Sequence, residues 1–203
     1  MKHLIIVASL LIVQGLAISQ VFAQESYYII KTDPIAPFFK TGALAFELVV
    51  GTNWSLQLKG GFTAKRTELW DSFEGDIKGF HVTPEFRYYL SMGRKNVPPA
   101  PFGTYLALWG RIMQFQGGLS GYIGQDLIEK DFLTFESRGV GLSVGHQFLI
   151  RVGGKKIATL DLFAGGGFEQ ETIDANIFSN EQVISTKGTK INPRLGVLLG
   201  IPL

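Results

Sequence analysis

The chain has 203 residues with 25 Gly, 16 Phe and no Cys, and only 18% of its residues are charged. The absence of Cys removes disulfides and thiolate metal sites, and a net charge of +2 with no basic cluster argues against nucleic acid as a partner. So many glycines and aromatics beside so few charges suit an all-β chain rich in turns.

Residues 1–23 have the form of a secretory signal peptide. Lys2 and His3 precede the apolar run Leu4–Val13, and Val21-Phe22-Ala23 is a small-x-small cleavage site, with cleavage after Ser19 as the alternative. Gln14 interrupts the run well short of a transmembrane helix. Without a later apolar helix, the mature chain 24–203 must be either a soluble exported β domain or an outer-membrane barrel.

The mature chain reads as a series of strands. Tyr27–Pro34 is a short first strand, and Pro34 and Pro37 break the chain before Gly42. Ala43–Gly51 and Trp54–Lys65 alternate in period two across the turn Gly51-Thr52-Asn53, as an antiparallel hairpin does. Residues 65–78 are polar and acidic and read as a long loop. Gly79–Met92 has the cleanest alternation: Phe80, Val82, Pro84, Phe86, Tyr88 and Leu90 against His81, Thr83, Glu85, Arg87 and Tyr89. Pro84, with no N–H to donate, predicts a bulge or distorted pairing. Further strands are expected at Phe102–Gln116, Phe135–Arg151, Ile157–Phe168 and Lys190–Leu203, with long loops at 117–131 and 169–189 and short turns at 91–100 and 152–156.

Eight strands with alternating short and long connections are the pattern of an up-and-down antiparallel transmembrane β-barrel: short periplasmic turns, long outer loops. The aromatics of the apolar sets fall into two groups. Trp54, Tyr88, Phe102 and Phe148 lie beside the short turns, and Phe62, Phe80 and Phe168 near the long loops, as two lipid-interface girdles would. The last strand places Leu195, Val197, Leu199, Ile201 and Leu203 on one face up to the carboxyl terminus. An apolar end of this kind suits the outer-membrane insertion machinery as a biogenesis partner.

The opposite faces carry Glu47, Lys59, Glu85, Arg87, Asp161 and Arg194, with Arg111 on the same side if Tyr105 and Trp109 also point inward. An eight-stranded barrel is only wide enough to be filled by side chains, and an Arg on the lipid face would cost roughly 2–4 kcal/mol at the midplane. These charges are therefore expected inside, paired with one another, as a structural plug. An ion path or acid/base pair built from them would need an accessible cleft.

Other motifs carry less. Gly139-x-Gly141-x-x-x-Gly145 lacks dinucleotide spacing and lies within a strand. Asp71, Glu74 and Asp76 do not match a calcium loop. His81 and His146 lack metal-ligand spacing, and His146 reads as an interface anchor. No catalytic, cofactor-binding or metal residue is assigned, and no cofactor is expected.

The fragments Lys31-Thr32-Asp33-Pro34, Ala45-Phe46-Glu47-Leu48, Trp54-Ser55-Leu56-Gln57-Leu58 and Thr83-Pro84-Glu85-Phe86-Arg87-Tyr88-Tyr89-Leu90 occur in an order that resembles an uncharacterised family of small outer-membrane β-barrel proteins from Bacteroidota, barrels of the OmpX or OmpA-membrane-domain type. The resemblance implies an outer-membrane location and lipid as a partner, and supplies no catalytic residues. The expected function is non-enzymatic: a barrel plugged by charge, with a structural role or a binding or adhesive role through loops 65–78, 117–131 and 169–189. Within them Asp126–Asp131 and Ile177–Ile184 mix charge with apolar residues. The competing reading is a narrow channel or carrier for small molecules, porin- or OmpW-like. Oligomeric state has no signature in the chain.

Overall fold

A computed structural model describes residues 28–50, 52–70, 73–90, 101–123, 126–152, 155–176 and 183–203; the leader expected at 1–23, the turn expected at 91–100, residues 153–154 of the turn expected at 152–156, Asp71, and residues 177–182 of the loop expected at 169–189 lie outside the described residues. Eight strands close into an antiparallel barrel in sequence order: β1 Tyr28–Thr32, β2 Thr41–Val50, β3 Trp54–Trp70, β4 Phe73–Tyr89, β5 Gly103–Ile123, β6 Asp126–Val152, β7 Lys155–Asn176 and β8 Val183–Pro202. A short 3-10 turn, Ala36–Phe39, joins β1 to β2.

Period-two alternation sets which way each side chain points. In β4, Thr83, Glu85, Arg87 and Tyr89 are buried while Val82, Phe86 and Tyr88 are exposed. The inversion holds round the ring: Leu44, Leu58, Leu108, Leu142 and Leu195 are 65%, 54%, 57%, 67% and 81% exposed, whereas Glu47, Arg87 and Asp161 are fully buried. A water-facing surface this apolar would be an aggregation face; facing hydrocarbon, it is the outer wall of a membrane barrel. Trp54 stacks on Phe86 and Tyr88 at centroid distances of 4.7 and 4.4 Å at the short-turn end. His146 lies 4.3 Å from Phe148 there and shares a 2.9 Å hydrogen bond with Thr104. Phe62, Phe80 and Phe168 are exposed near the opposite end.

Phe102 departs from the expected girdle. It is buried and precedes β5, which starts at Gly103 with φ +100°. That positive φ takes Gly103 out of the extended conformation, so strand parity does not extend back to Phe102.

The three expected long loops are also corrected. Residues 64–70 pair with 73–78, residues 117–123 with 126–133, and residues 168–176 with 183–191. What looked like loops are hairpin arms continuing the ladders, paired as far as Trp70↔Phe73, Ile123↔Asp126 and Asn176↔Val183. A transmembrane strand needs about 9–11 residues, so β6, with 27 residues, runs well beyond the bilayer. Beyond the bilayer no hydrocarbon faces the outer side, so a strand there need not alternate in sequence, and backbone ladder bonds need no apolar side chain. Glu74 and Asp76 lie in β4 rather than in a loop, and Asp76 pairs with Lys78 at 3.0 Å.

Prolines mark the interruptions. Leu58 opposes Pro84 without a break, but the β4–β5 ladder skips from Val82↔Ile112 to Glu85↔Trp109. The count is equal on both sides, so pairing is interrupted without a bulge. Pro84 turns its missing N–H toward β5, where it faces Gly110. The barrel seam is short: β1 meets β8 only from Ile29↔Pro202 to Thr32↔Leu199. Above it β8 is paired with β7 alone, and Pro193 has its N–H position on the open side, where proline costs no ladder bond.

Candidate functional site

The inward side chains of all eight strands meet in one cluster. Lys31 of β1 contacts Glu47 of β2 at 2.7 Å and Asp161 of β7 at 2.8 Å. Arg87 of β4 reaches Asp161 at 2.7 Å and turns Nε and Nη2 onto Glu85 Oε2 at 3.0 and 2.9 Å. Arg194 of β8 donates to the other Glu85 oxygen. Signs alternate along the path Glu47, Lys31, Asp161, Arg87, Glu85, Arg194, so the cluster is neutral.

The remaining strands, with Tyr89 of β4, supply hydrogen bonds. Ser55 of β3 and Tyr89 of β4 donate to Glu47 Oε1, the latter at 2.8 Å. Tyr105 of β5 donates to Asp161 Oδ1 at 2.7 Å, and Gln147 of β6 accepts from Lys31. Multiple partners of this kind make a buried ion tolerable, because each charge loses water and must recover its interactions from protein; among the described residues Gln147 Nε2 and Arg194 Nη1 still find no hydrogen-bond partner. The Arg87 guanidinium also lies 4.4 Å from the centre of the Tyr105 ring.

A second layer caps the first. Trp109 is 1% exposed and is flanked by Arg111 and Arg194, each 5.2 Å from its ring centre. Arg111 pairs with Glu169 at 3.1 Å, and Glu169 accepts from Asn192 at 2.7 Å and Ser137 at 3.3 Å. Glycine makes room for the ring: a Cβ on Gly141 would sit 2.4 Å from Trp109 and one on Gly167 2.7 Å from it. Gly145 leaves the same space for Tyr105, and Gly196 for Phe163.

To one side, Lys59 pairs with Asp33 at 2.8 Å. Asp33 lies in the β1–β2 connection, outside the spanning strands. Burial acts to raise its carboxyl, but Lys59 and the backbone N–H groups of Ile35 and Ala36 hold it below its ordinary value.

The charged positions singled out from sequence, Glu47, Lys59, Glu85, Arg87, Arg111, Asp161 and Arg194, all turn inward. Five of them share the lower cluster, while Arg111 and Lys59 belong to the neighbouring pairs. Lys31, Asp33, Glu169 and Gln147 were missed as members. Continuing the inward phase of β7, Asp161, Phe163, Gly165 and Gly167, one step further reaches Glu169, and Lys31 shares the inward phase of Ile29. Tyr89, Tyr105 and Trp109 gave no charge signal, and only three-dimensional proximity marks them.

The class these features define is an eight-stranded outer-membrane β-barrel whose lumen is crossed by ion pairs. The chain belongs to the family described as protein of unknown function (DUF3575), whose pattern matches residues 6–196. No curated protein matches it. Among solved structures it is similar to a major outer membrane protein from Thermus thermophilus, with TM-score 0.52 and 13% identity, covering 89% of this chain and 100% of that one. It is also similar to Ail, the attachment invasion locus protein of Yersinia pestis, with TM-score 0.42 and 12% identity, covering 88% and 97%. At 13% identity the likeness to the Thermus thermophilus protein concerns the fold alone.

Proposed function

We propose that this protein is a non-enzymatic outer-membrane barrel, closed to solutes by its internal charge network, that acts through the hairpin arms it raises above the membrane. One observation carries the reading: every strand contributes a side chain to a single ion-paired cluster across the lumen, in which Lys31, Glu47, Arg87 and Asp161 are each no more than 1% exposed. A solute path through this layer would have to part several short ion pairs at once. The arms of β3–β4, β5–β6 and β7–β8 are hydrogen-bonded ladders rather than irregular loops, a better platform for an extracellular partner since less ordering is lost on contact. The apolar outward face of β8 supports recognition by the insertion machinery, and the strand number supports kinship with OmpX-type barrels.

Planar-bilayer recording of refolded protein tests the plug. The wild type is expected to give no steady open-channel current. A steady current that disappears on changing Arg87 or Glu85 would overturn the plug and establish the narrow-channel alternative.

A further inference from the structure

The outer wall is not evenly covered. A groove of about 730 Å³ runs along it, floored at Pro84 and Gly110 and walled by Leu58, Ile112, Val140 and Phe168. That volume is within the roughly 300–1,000 Å³ of small-molecule sites. The walls are 54–64% exposed, so they contact whatever surrounds the barrel rather than each other. Inward glycines such as Gly141 are forced by neighbouring rings, but Gly110 is not: a Cβ there would come no closer than 3.8 Å to Pro84. The groove exists because one strand offers no side chain there and its neighbour offers only a proline ring.

Polarity changes at the upper end of the groove. Arg138, Gln170 and Thr189 lie side by side on β6, β7 and β8, all exposed, and line its rim directly above Val140 and Phe168. They mark the point where each outward face leaves the apolar belt. On the described strands, the first charged outward residue at this boundary is a cation on both β4 and β6, Lys78 and Arg138. Lys78 pairs with Asp76. Arg138 has no ion pair among the described residues; its cross-strand neighbours are Ile112 and Gln170, and the nearby Glu136 is engaged with Gln114 at 3.5 Å.

We propose that this groove binds one lipid of the outer leaflet that carries a phosphorylated headgroup: an acyl chain lies over Gly110 between Ile112 and Val140, and Arg138 holds the phosphate, assisted by Gln170 and Thr189. The two ends fit the two ends of such a molecule. The apolar trough lies at hydrocarbon depth, and the unpaired guanidinium, suited to fork-like binding of phosphate oxygens, stands at headgroup depth. A soluble anion would have no use for the trough, and a neutral lipid none for the arginine.

The test is native mass spectrometry of refolded protein in detergent micelles, titrated with diphosphorylated lipid A or with the same lipid stripped of phosphate. The wild type is expected to retain one lipid A, at least tenfold more strongly than the dephosphorylated form. Gly110→Leu, which fills the trough, is expected to weaken retention of both about tenfold with the heat-dependent gel shift of the folded barrel intact. Arg138→Gln is expected to bring the two lipids within about twofold of each other. Equal retention of both lipids by the wild type, or unchanged retention by folded Gly110→Leu, overturns the proposal. If Gly110→Leu does not fold, Arg138→Gln decides alone, since it alters an exposed side chain without an ion pair, and a preserved phosphate preference in it overturns the proposal.

Discussion

Gly141 and Gly60 both sit in the middle of strands of one barrel, and they differ in what surrounds them. A Cβ at Gly141, on the inner face, would come within 2.3 Å of the Gly166 carbonyl oxygen and 2.4 Å of the Trp109 ring. A Cβ at Gly60, on the outer face, would meet nothing nearer than the His81 carbonyl oxygen at 4.0 Å. The inside is packed like the core of a soluble protein, with each small residue matched to a large neighbour, although many of the matched groups are ions. The outside is packed by the solvent, here hydrocarbon, which asks only that side chains be apolar. Inner positions are therefore specified by shape and pairing, outer ones by polarity alone.

The comparison can be broken most severely at Arg87. Arg87→Ala would leave Asp161 and Glu85 without their shared cation in a space closed to water. Removing one partner of a buried ion pair costs about 3–5 kcal/mol. The denaturation midpoint of vesicle-embedded protein should fall accordingly; an unchanged midpoint would mean the cluster is hydrated and not a plug.

A methyl group sharpens the same contrast at lower cost. Gly141→Ala should destabilise by about 1–3 kcal/mol through overpacking against Trp109 and the β7 backbone. Gly60→Ala should be neutral or stabilise by roughly 0.5–1 kcal/mol, because it removes glycine's extra freedom in the unfolded chain. Parallel unfolding curves for the two variants check this, and equal effects would erase the distinction between the faces.

The smallest effect is expected where inner and outer surroundings meet, at the Asp33–Lys59 pair. A carboxyl whose folded pKa lies below its ordinary value of 3.8 contributes stability that is present above that value and is lost as pH falls through the folded value. Amide exchange at Ile35 and Ala36, whose N–H groups donate to Asp33 Oδ1 at 3.0 and 3.2 Å, should stay slow at neutral pH. It should quicken only below pH 3.8, relative to its intrinsic rate. Asp33→Asn should remove that acid-dependent change.

The β-barrel class, its strand number and the direction of most side chains were legible in the sequence, because period-two alternation in the belt is enforced by two solvents, lipid outside and a packed polar lumen inside. The inward turn of Glu85 and Arg87 follows from that alternation and the cost of placing charge in lipid. Where one of the two solvents is missing, the signal fades. Above the membrane no lipid enforces an apolar outer face, so the hairpin arms carry no period-two signal and read as loops. At Phe102 a positive-φ glycine breaks the parity count. Pairing across the lumen was decided by tertiary structure alone. Lys31 meets Asp161 across 130 positions of chain, and Arg87 meets it across 74. Such partners are set by barrel closure, strand register and the room that Gly141, Gly145 and Gly167 leave for aromatic rings, none of which a local pattern contains.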